Sequence, residues 1–243
     1  MSQARVRLEI AANSLASALA AQEGGADRIE LCENLGEGGC TPSYGTLAMA
    51  RERLRIALYV LIRPRAGDFL YDTLERDTML RDVEMCARLG CDGIVIGALD
   101  ADGVVDAPLC RELIAAAGTL GVTFHRALDV ARDPCEALES AIALGCERVL
   151  TSGASASAID GVDTIAGLVQ RAAGRIGVMA GAGVTSANVG ELVRRTGVQD
   201  VHASAKALRP SHMRLHRELP GLAPEHWRSD AAVVRALREA LGN

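Results

Sequence analysis

The chain has 243 residues, of which 49% are hydrophobic and 23% are charged, a balance typical of a folded globular protein. This length is enough for one α/β barrel or for two small domains. The formal net charge of −5 argues against nucleic acid or an anionic membrane as a partner. Aromatic residues make up only 2% of the chain, which argues against an aromatic surface that stacks on single-stranded nucleic acid.

The sequence predicts a protein that stays in the cytoplasm. Residues 1–13 contain no apolar run before the first predicted strand, so we expect no signal peptide. No apolar run approaches the roughly 20 residues of a membrane helix. The seven cysteines include no Cys-x-x-Cys pair, which excludes a zinc ribbon. Free thiols without a secretion signal are typical of a reducing cytoplasm.

Apolar runs of strand length alternate with amphipathic segments of helix length along the chain. The predicted strands are residues 8–12, 28–32, 57–63, 93–99, 122–128, 148–152, 176–180 and 200–205. The predicted helices are residues 14–23, 42–53, 72–89, 107–119, 134–144, 159–173, 185–196 and 229–241. Capping side chains are predicted at the starts of three helices, at Thr41, Asp72 and Asp133.

An internal repeat supports an eight-stranded barrel. Each copy has a glycine, a small or apolar residue, a polar or acidic residue, a spacer and a β-branched strand residue. The copies are residues 25–29, 90–94, 145–149 and 197–201, before strands two, four, six and eight. Four such two-strand units predict a single (β/α)8 TIM barrel domain over residues 1–243, with an irregular excursion at 207–228. No Gly-x-Gly-x-x-Gly follows the first strand, which argues against a dinucleotide-binding fold.

Three ionisable side chains are predicted to meet at the carboxyl ends of adjacent strands, where this fold places its working groups. They are Glu9 on strand one, Glu30 on strand two and His202 on strand eight. Two carboxylates about 5 Å apart repel by about 3 kcal/mol at an effective dielectric of 20, so we expect Arg63 from strand three as their counter-charge. The cluster predicts an acid/base pair or a carboxylate–histidine metal site. The alternative is a polar layer that only fills the barrel.

Other polar residues suggest that the substrate is an anion. His125, on strand five, is a further acid/base candidate, and Arg63 with Arg65 forms a predicted anion clamp. The charged segment 63–69 is predicted to be a lid or clamp, or else a solvated surface loop. The loop 181–185 predicts a phosphate cradle, unless its small residues only turn the chain. The remaining anion-binding candidates are Asp68, Arg126, Thr151, Ser152, Gly181, Gly183 and Ser204. His212, His216 and His226 are predicted to be surface residues.

Several of these stretches together resemble the CutC family. They are Glu-Leu-Cys at 30–32, Val-Thr-Phe-His-Arg-Ala at 122–127, and the segments 37–43, 62–69, 148–153, 179–184 and 201–205. Proteins of this family are described as cytoplasmic copper homeostasis proteins with a (β/α)8 barrel, often homo-oligomeric. The resemblance therefore implies copper(I) binding through thiols, with Cys32 at the position of the family's thiol. Cys40, where the family commonly has another residue, is the second candidate ligand. Family members often carry a cysteine where this chain has Ala11, and a soft copper(I) site needs at least two sulfur ligands.

Two functions remain open from the sequence. One is a copper homeostasis protein that binds copper(I) at Cys32, aided by Cys40 or His202. The other is a TIM-barrel enzyme of unknown reaction that acts on a small anionic or phosphorylated metabolite.

Overall fold

Eight parallel strands close into a barrel with helices between them, which confirms the predicted (β/α)8 TIM barrel. The structure, a computed structural model, describes residues 5–215, 217, 219 and 223–242. The barrel strands are β1 (Arg7–Ala12), β2 (Arg28–Leu31), β3 (Ala57–Leu61), β4 (Gly93–Ile96), β5 (Gly121–Phe124), β6 (Arg148–Thr151), β7 (Gly177–Ala180) and β8 (Asp200–Ala203). The helices are α1 (Leu15–Glu23), α2 (Tyr44–Arg53), α3 (Thr73–Leu89), α4 (Ala107–Ala117), α5 (Pro134–Ala143), α6 (Val162–Ala172), α7 (Val189–Thr196) and α8 (Ala231–Ala240).

Alternate side chains of β2 lie on opposite faces of the barrel wall. Ile29 and Leu31 are fully buried in the main apolar core, which joins the strands to the helices. Cys32, directly after β2, packs instead with Tyr59 and Leu61 in a second, smaller cluster. The inner face is therefore the one that carries the polar residues of β2.

The strand register brings these inner polar residues together. Glu9 of β1 lies opposite Arg28 on one side and opposite His202 on the other. The pairing of β1 with β8 closes the barrel. Ionisable side chains from three adjacent strands thereby share one part of the interior.

The helix ends follow local signals, with one correction. Asp72 and Glu75 form the predicted capping box at the start of α3. Gly90 ends that helix with φ +70°, a left-handed conformation that glycine adopts without strain. The predicted cap at Thr41 is wrong, because Ser43 caps α2, which begins at Tyr44.

Strands β3, β4 and β5 end before the predicted positions 63, 99 and 128. After β5 the chain turns into a short 3₁₀ helix, Arg126–Val130. The turn is stabilised by the side chain of His125, whose Nδ1 accepts a hydrogen bond from the Ala127 N–H at 3.1 Å. Residues 125–130 therefore form a loop over the barrel mouth and not the end of a strand.

The segment predicted to be irregular is bounded by a two-stranded antiparallel sheet, β9 (Lys206–Arg209) with β10 (His226–Ser229). The Lys206 ammonium lies 5.0 Å from the centre of the Trp227 ring. His212 and His226 are exposed, as predicted, and His216 falls outside the described residues. In the part of the chain that the structure describes, no helix is long and apolar enough to cross a membrane.

Candidate active site

A cavity of about 720 Å³ opens at the carboxyl ends of the strands. Eight of the residues predicted from the sequence line it, namely Glu30, Cys32, Arg63, His125, Arg126, Gly183, His202 and Ser204. The other predicted residues are absent from its lining, namely Glu9, Cys40, Arg65, Asp68, Thr151, Ser152 and Gly181. The predicted set therefore divides into residues that a small molecule could touch and residues that lie behind or beside them.

His202 bridges the two carboxylates of the predicted acid/base cluster. Its Nδ1 lies 2.7 Å from Glu9 Oε1, and its Nε2 lies 3.3 Å from Glu30 Oε2. Glu9 is 1% exposed and Glu30 is 5% exposed, so both carboxyl groups are buried. Glu9 lies beneath, and Glu30 and His202 form part of the cavity wall.

The counter-charge for this cluster is Arg28, which corrects the prediction that Arg63 would serve. Arg28 Nε donates to Glu9 Oε2, and Arg28 Nη2 donates to Asp200 Oδ1 at 3.2 Å. Arg7 donates to the other oxygen of Asp200 at 2.7 Å. This chain of charges runs beneath the cavity and leaves Glu30 without an arginine bonded to it in the described residues.

The three groups of the cluster hold protons with different affinities. Burial alone would raise the pKa of Glu9, but the Arg28 charge and the His202 hydrogen bond outweigh it and lower that pKa to about 2. Burial raises the pKa of Glu30 to about 7, although the His202 charge opposes it. Burial would lower the pKa of His202, but the charges of Glu30 and Glu9 raise it. Glu9 is therefore ionised, whereas burial favours the protonated form of Glu30.

The same cluster is the one group in the described chain whose ligand atoms could surround a metal ion. One atom from each of Glu9, Glu30 and His202 lies within 4.8 Å of the others. Carboxylate and imidazole donors suit a divalent ion such as zinc or copper(II) and not the soft copper(I) ion. Arg28 already bonds to Glu9, so a metal would compete with a guanidinium for that carboxylate.

His125 is arranged as a fixed hydrogen-bond donor and not as the predicted acid or base. Burial and the charges of Arg63 and Arg126 lower its pKa to about 3, so the ring is neutral. Because Nδ1 accepts the Ala127 N–H, the proton of the neutral ring is on Nε2. That Nε2 is buried and has no hydrogen-bond partner among the described residues.

Arg63 lines the cavity but has no carboxylate partner in the described chain. Its Nη1 donates to the carbonyls of Glu37 and Gly39 at 2.9 and 2.7 Å, and its Nη2 donates to the carbonyl of Gly67 at 2.7 Å. Its Nε is buried and has no acceptor at hydrogen-bond geometry in the part described, although the buried Tyr71 hydroxyl lies close to the Arg63 side chain. The Phe69 ring centre is 5.1 Å from the guanidinium carbon.

Arg65 and Asp68, predicted to hold an anion, instead stabilise the loop after β3. Arg65 Nη2 donates to Asp68 Oδ1 at 2.9 Å, and Arg65 Nε donates to Glu75 at the start of α3. The loop is thus fastened to α3 by ion pairs, and the charge of Arg65 is already neutralised.

Asp129 accepts hydrogen bonds from the polar groups at the end of β6 that were predicted to bind an anion. It accepts from Thr151 Oγ1 at 2.5 Å, from Ser152 Oγ at 2.9 Å and from the Ala154 N–H at 3.1 Å. Arg126 Nε pairs with Asp129 at 2.7 Å. The donors that the sequence suggested for a substrate are therefore already hydrogen-bonded to a carboxylate of the protein.

The loop after β7 has only part of the predicted phosphate cradle. The Gly181 N–H donates to the Thr151 carbonyl, and the Thr185 N–H donates to the Asn188 side chain. Helix α7 begins only at Val189, so its N-terminus does not directly follow the glycines. Gly183 lies exposed at the cavity wall.

The thiols predicted as copper ligands differ in position. Cys32 is 1% exposed at the cavity wall, and burial together with the Glu30 charge raises its pKa well above the usual range. Cys40 is half-buried and pairs through its backbone with Glu33. In the described residues, no group of three potential metal ligands includes a thiol.

Comparison with known proteins identifies close relatives. A model of the CutC family matches residues 6–207. A protein from Xanthomonas campestris pv. campestris named family protein CutC is 59% identical and covers 96% of this chain and 98% of its own length. A protein of the same name from Chromobacterium violaceum is 55% identical and covers 96% of this chain and 97% of its own length.

Solved structures show the same fold. The crystal structure of the putative copper homeostasis protein CutC from Streptococcus agalactiae aligns with a TM-score of 0.79 at 34% identity, covering 82% of this chain and 98% of that chain. Thiamine phosphate pyrophosphorylase from Pyrococcus furiosus aligns with a TM-score of 0.61 at 16% identity, over 98% of this chain and 96% of that chain. At that identity the second likeness shows the barrel fold alone.

Proposed function

The chain belongs to the CutC family, and we propose that it is an enzyme that moves a proton on a small anionic substrate. The observation that carries this proposal is the position of Glu30, a buried carboxyl group at the cavity wall that touches His202. Its pKa of about 7 allows Glu30 to accept or to donate a proton near neutral pH. Copper storage does not require such a group.

The neighbouring residues have supporting roles in this proposal. Glu9 remains a carboxylate because Arg28 bonds to it, and it holds His202 by the contact at Nδ1. His202 presents its other nitrogen to Glu30. As a carboxylate, Glu30 takes a proton from the substrate, and as a carboxylic acid it returns one. The cluster is thereby restored at the end of each cycle without any oxidant or reductant.

The proposal is tested by proton exchange. The protein is incubated in deuterated water with a panel of small carboxylic acids and phosphorylated metabolites, and NMR follows the loss of substrate proton signals. We expect exchange or isomerisation of at least one compound, and loss of that activity in Glu30→Gln. Glu84→Gln, which changes an exposed glutamate on α3, is the matched control. Equal activity in Glu30→Gln and the unmodified protein would contradict the proposal.

Copper binding is the second candidate, because the Streptococcus agalactiae relative is titled a putative copper homeostasis protein. The residues present do not fit copper(I) as cargo. Cys32 is the one thiol that lines the cavity among the described residues, and its raised pKa makes loss of its proton to a metal more costly, whereas a soft ion needs at least two sulfur ligands. Copper(I) titration of Cys32→Ser tests this candidate directly. We expect the variant to match the unmodified protein, and loss of tight binding would restore the copper assignment.

The cytoplasmic location and the homo-oligomeric state implied by the family remain predictions. Fractionation of cells and light scattering of the purified protein measure them.

A further inference from the structure

We infer that Arg63 and His125 together bind a carboxylate group of the substrate at the barrel mouth. This inference rests on the proposed function, since it says which part of the anionic substrate is held opposite the acid/base cluster. It differs from the sequence prediction, which made His125 an acid or base and Arg65 the partner of Arg63.

The first support is a pair of buried donors without acceptors. Arg63 is 5% exposed and His125 is 4% exposed, and both line the cavity. Arg63 Nε and His125 Nε2 have no hydrogen-bond partner within the described chain. Leaving a buried donor unpaired is energetically costly, so two unpaired donors in one cavity indicate that an acceptor belongs there.

The second support is the way the protein holds both side chains in place. Three backbone carbonyls fix the terminal nitrogens of Arg63, which leaves its Nε edge for another partner. The Ala127 N–H fixes the His125 ring. The Phe69 ring contacts both, with its centre 4.9 Å from the His125 ring centre and 5.1 Å from the guanidinium carbon. The donors are therefore ordered before a ligand arrives, which lowers the entropy cost of binding.

The charge at the two unpaired donors favours a carboxylate over a phosphate. Among the other basic side chains that line the cavity in the described residues, Arg126 is paired with Asp129 and His202 with Glu9 and Glu30, whereas Lys206 keeps its charge but lies exposed beside Trp227. Arg63 contributes one positive charge, and a neutral His125 contributes none. One positive charge matches a carboxylate, whereas a phosphate monoester carries about −1.5 to −2 at neutral pH.

The experiment observes the His125 Nε2–H directly. Protein labelled with ¹⁵N-histidine is titrated with acetate, with acetamide as the uncharged analogue and inorganic phosphate as the competing anion. The His125→Gln variant assigns the signal by its absence. We expect acetate to shift the signal saturably in the millimolar range, and acetamide and phosphate to leave it unchanged.

Variants separate this inference from the proposed function. Arg63→Lys should weaken acetate binding by about tenfold or more, because lysine cannot reproduce the planar guanidinium. Arg132→Gln, which removes an exposed arginine paired with Glu136, should leave it unchanged. Glu30→Gln should lose proton exchange but keep the acetate shift. An acetate-insensitive His125 signal in folded protein, or an equal response to phosphate, would overturn the inference, whatever the outcome for Glu30.

Discussion

The pKa of Glu30 predicts how the stability of the protein depends on pH. Burial raises that pKa from its usual 4.5 to about 7. The folded chain therefore binds this proton more tightly than the unfolded chain, and the free energy of unfolding falls as the pH rises from 4.5 to about 7. One pKa unit corresponds to about 1.4 kcal/mol, so this increase in pKa lowers the free energy of unfolding by about 3 kcal/mol over that range. Glu30→Gln cannot ionise and should lack this decrease.

The assay is urea unfolding of both proteins across that range. Between about pH 4 and about pH 8, the free energy of unfolding of Glu30→Gln should increase by about 3 kcal/mol relative to that of the unmodified protein. Glu84→Gln should follow the unmodified protein. Because His202 contacts Glu30 and its charge affects the same pH range, the carboxyl ¹³C signal of Glu30 is also followed, and its midpoint should lie near pH 7. A midpoint near 4.5, with parallel stability curves for both proteins, would refute the reasoning.

Two further substitutions probe the groups around the cavity. Arg28→Met should lower the free energy of unfolding by about 3–5 kcal/mol, because it leaves the buried Glu9 without its cation. Adding Glu9→Gln should recover part of that loss, and a loss below about 1 kcal/mol in the single variant would contradict the pairing. Gly97→Ala would place a Cβ 2.4 Å from the His125 ring and should abolish the acetate-dependent shift. Gly45→Ala, with nothing within 4 Å of the added Cβ, is its control, and an unchanged shift in Gly97→Ala would count against the ring position.

Local sequence patterns predicted the barrel because its units are local. Each repeat copy places a glycine where a helix ends and a strand follows, and Gly197 ends α7 with φ +74°, as Gly90 ends α3. The alternation of residues in β2 assigned Glu30 to the inside without any knowledge of its neighbours. The chain order of strands one, two and eight then placed Glu9 and His202 beside it.

The partners of charged side chains were harder to predict, since they depend on strand register. Arg28 shares the inner face of β2 with Glu30, but only the pairing of β1 with β2 shows that it lies opposite Glu9. Arg63 was chosen instead because it ends a strand, yet its guanidinium is held by loop carbonyls. The sequence shows that Asp129 follows β5. Its hydrogen bond with Thr151, however, depends on a 3₁₀ helix that no sequence signal indicated.

The two sides of the cavity differ in chemistry, with acid/base groups on one side and hydrogen-bond donors on the other. Binding a metal as cargo would not require this difference. On the side of β8, β1 and β2, burial raises the pKa of Glu30 to about 7, whereas the Arg28 charge keeps Glu9 ionised. On the side of β3 and β5, His125 does not titrate near neutral pH and can only donate. A substrate held there by its carboxylate would face Glu30 and His202 across the cavity. Small acids would then react only if they carry an exchangeable proton at the right distance from that carboxylate to reach Glu30.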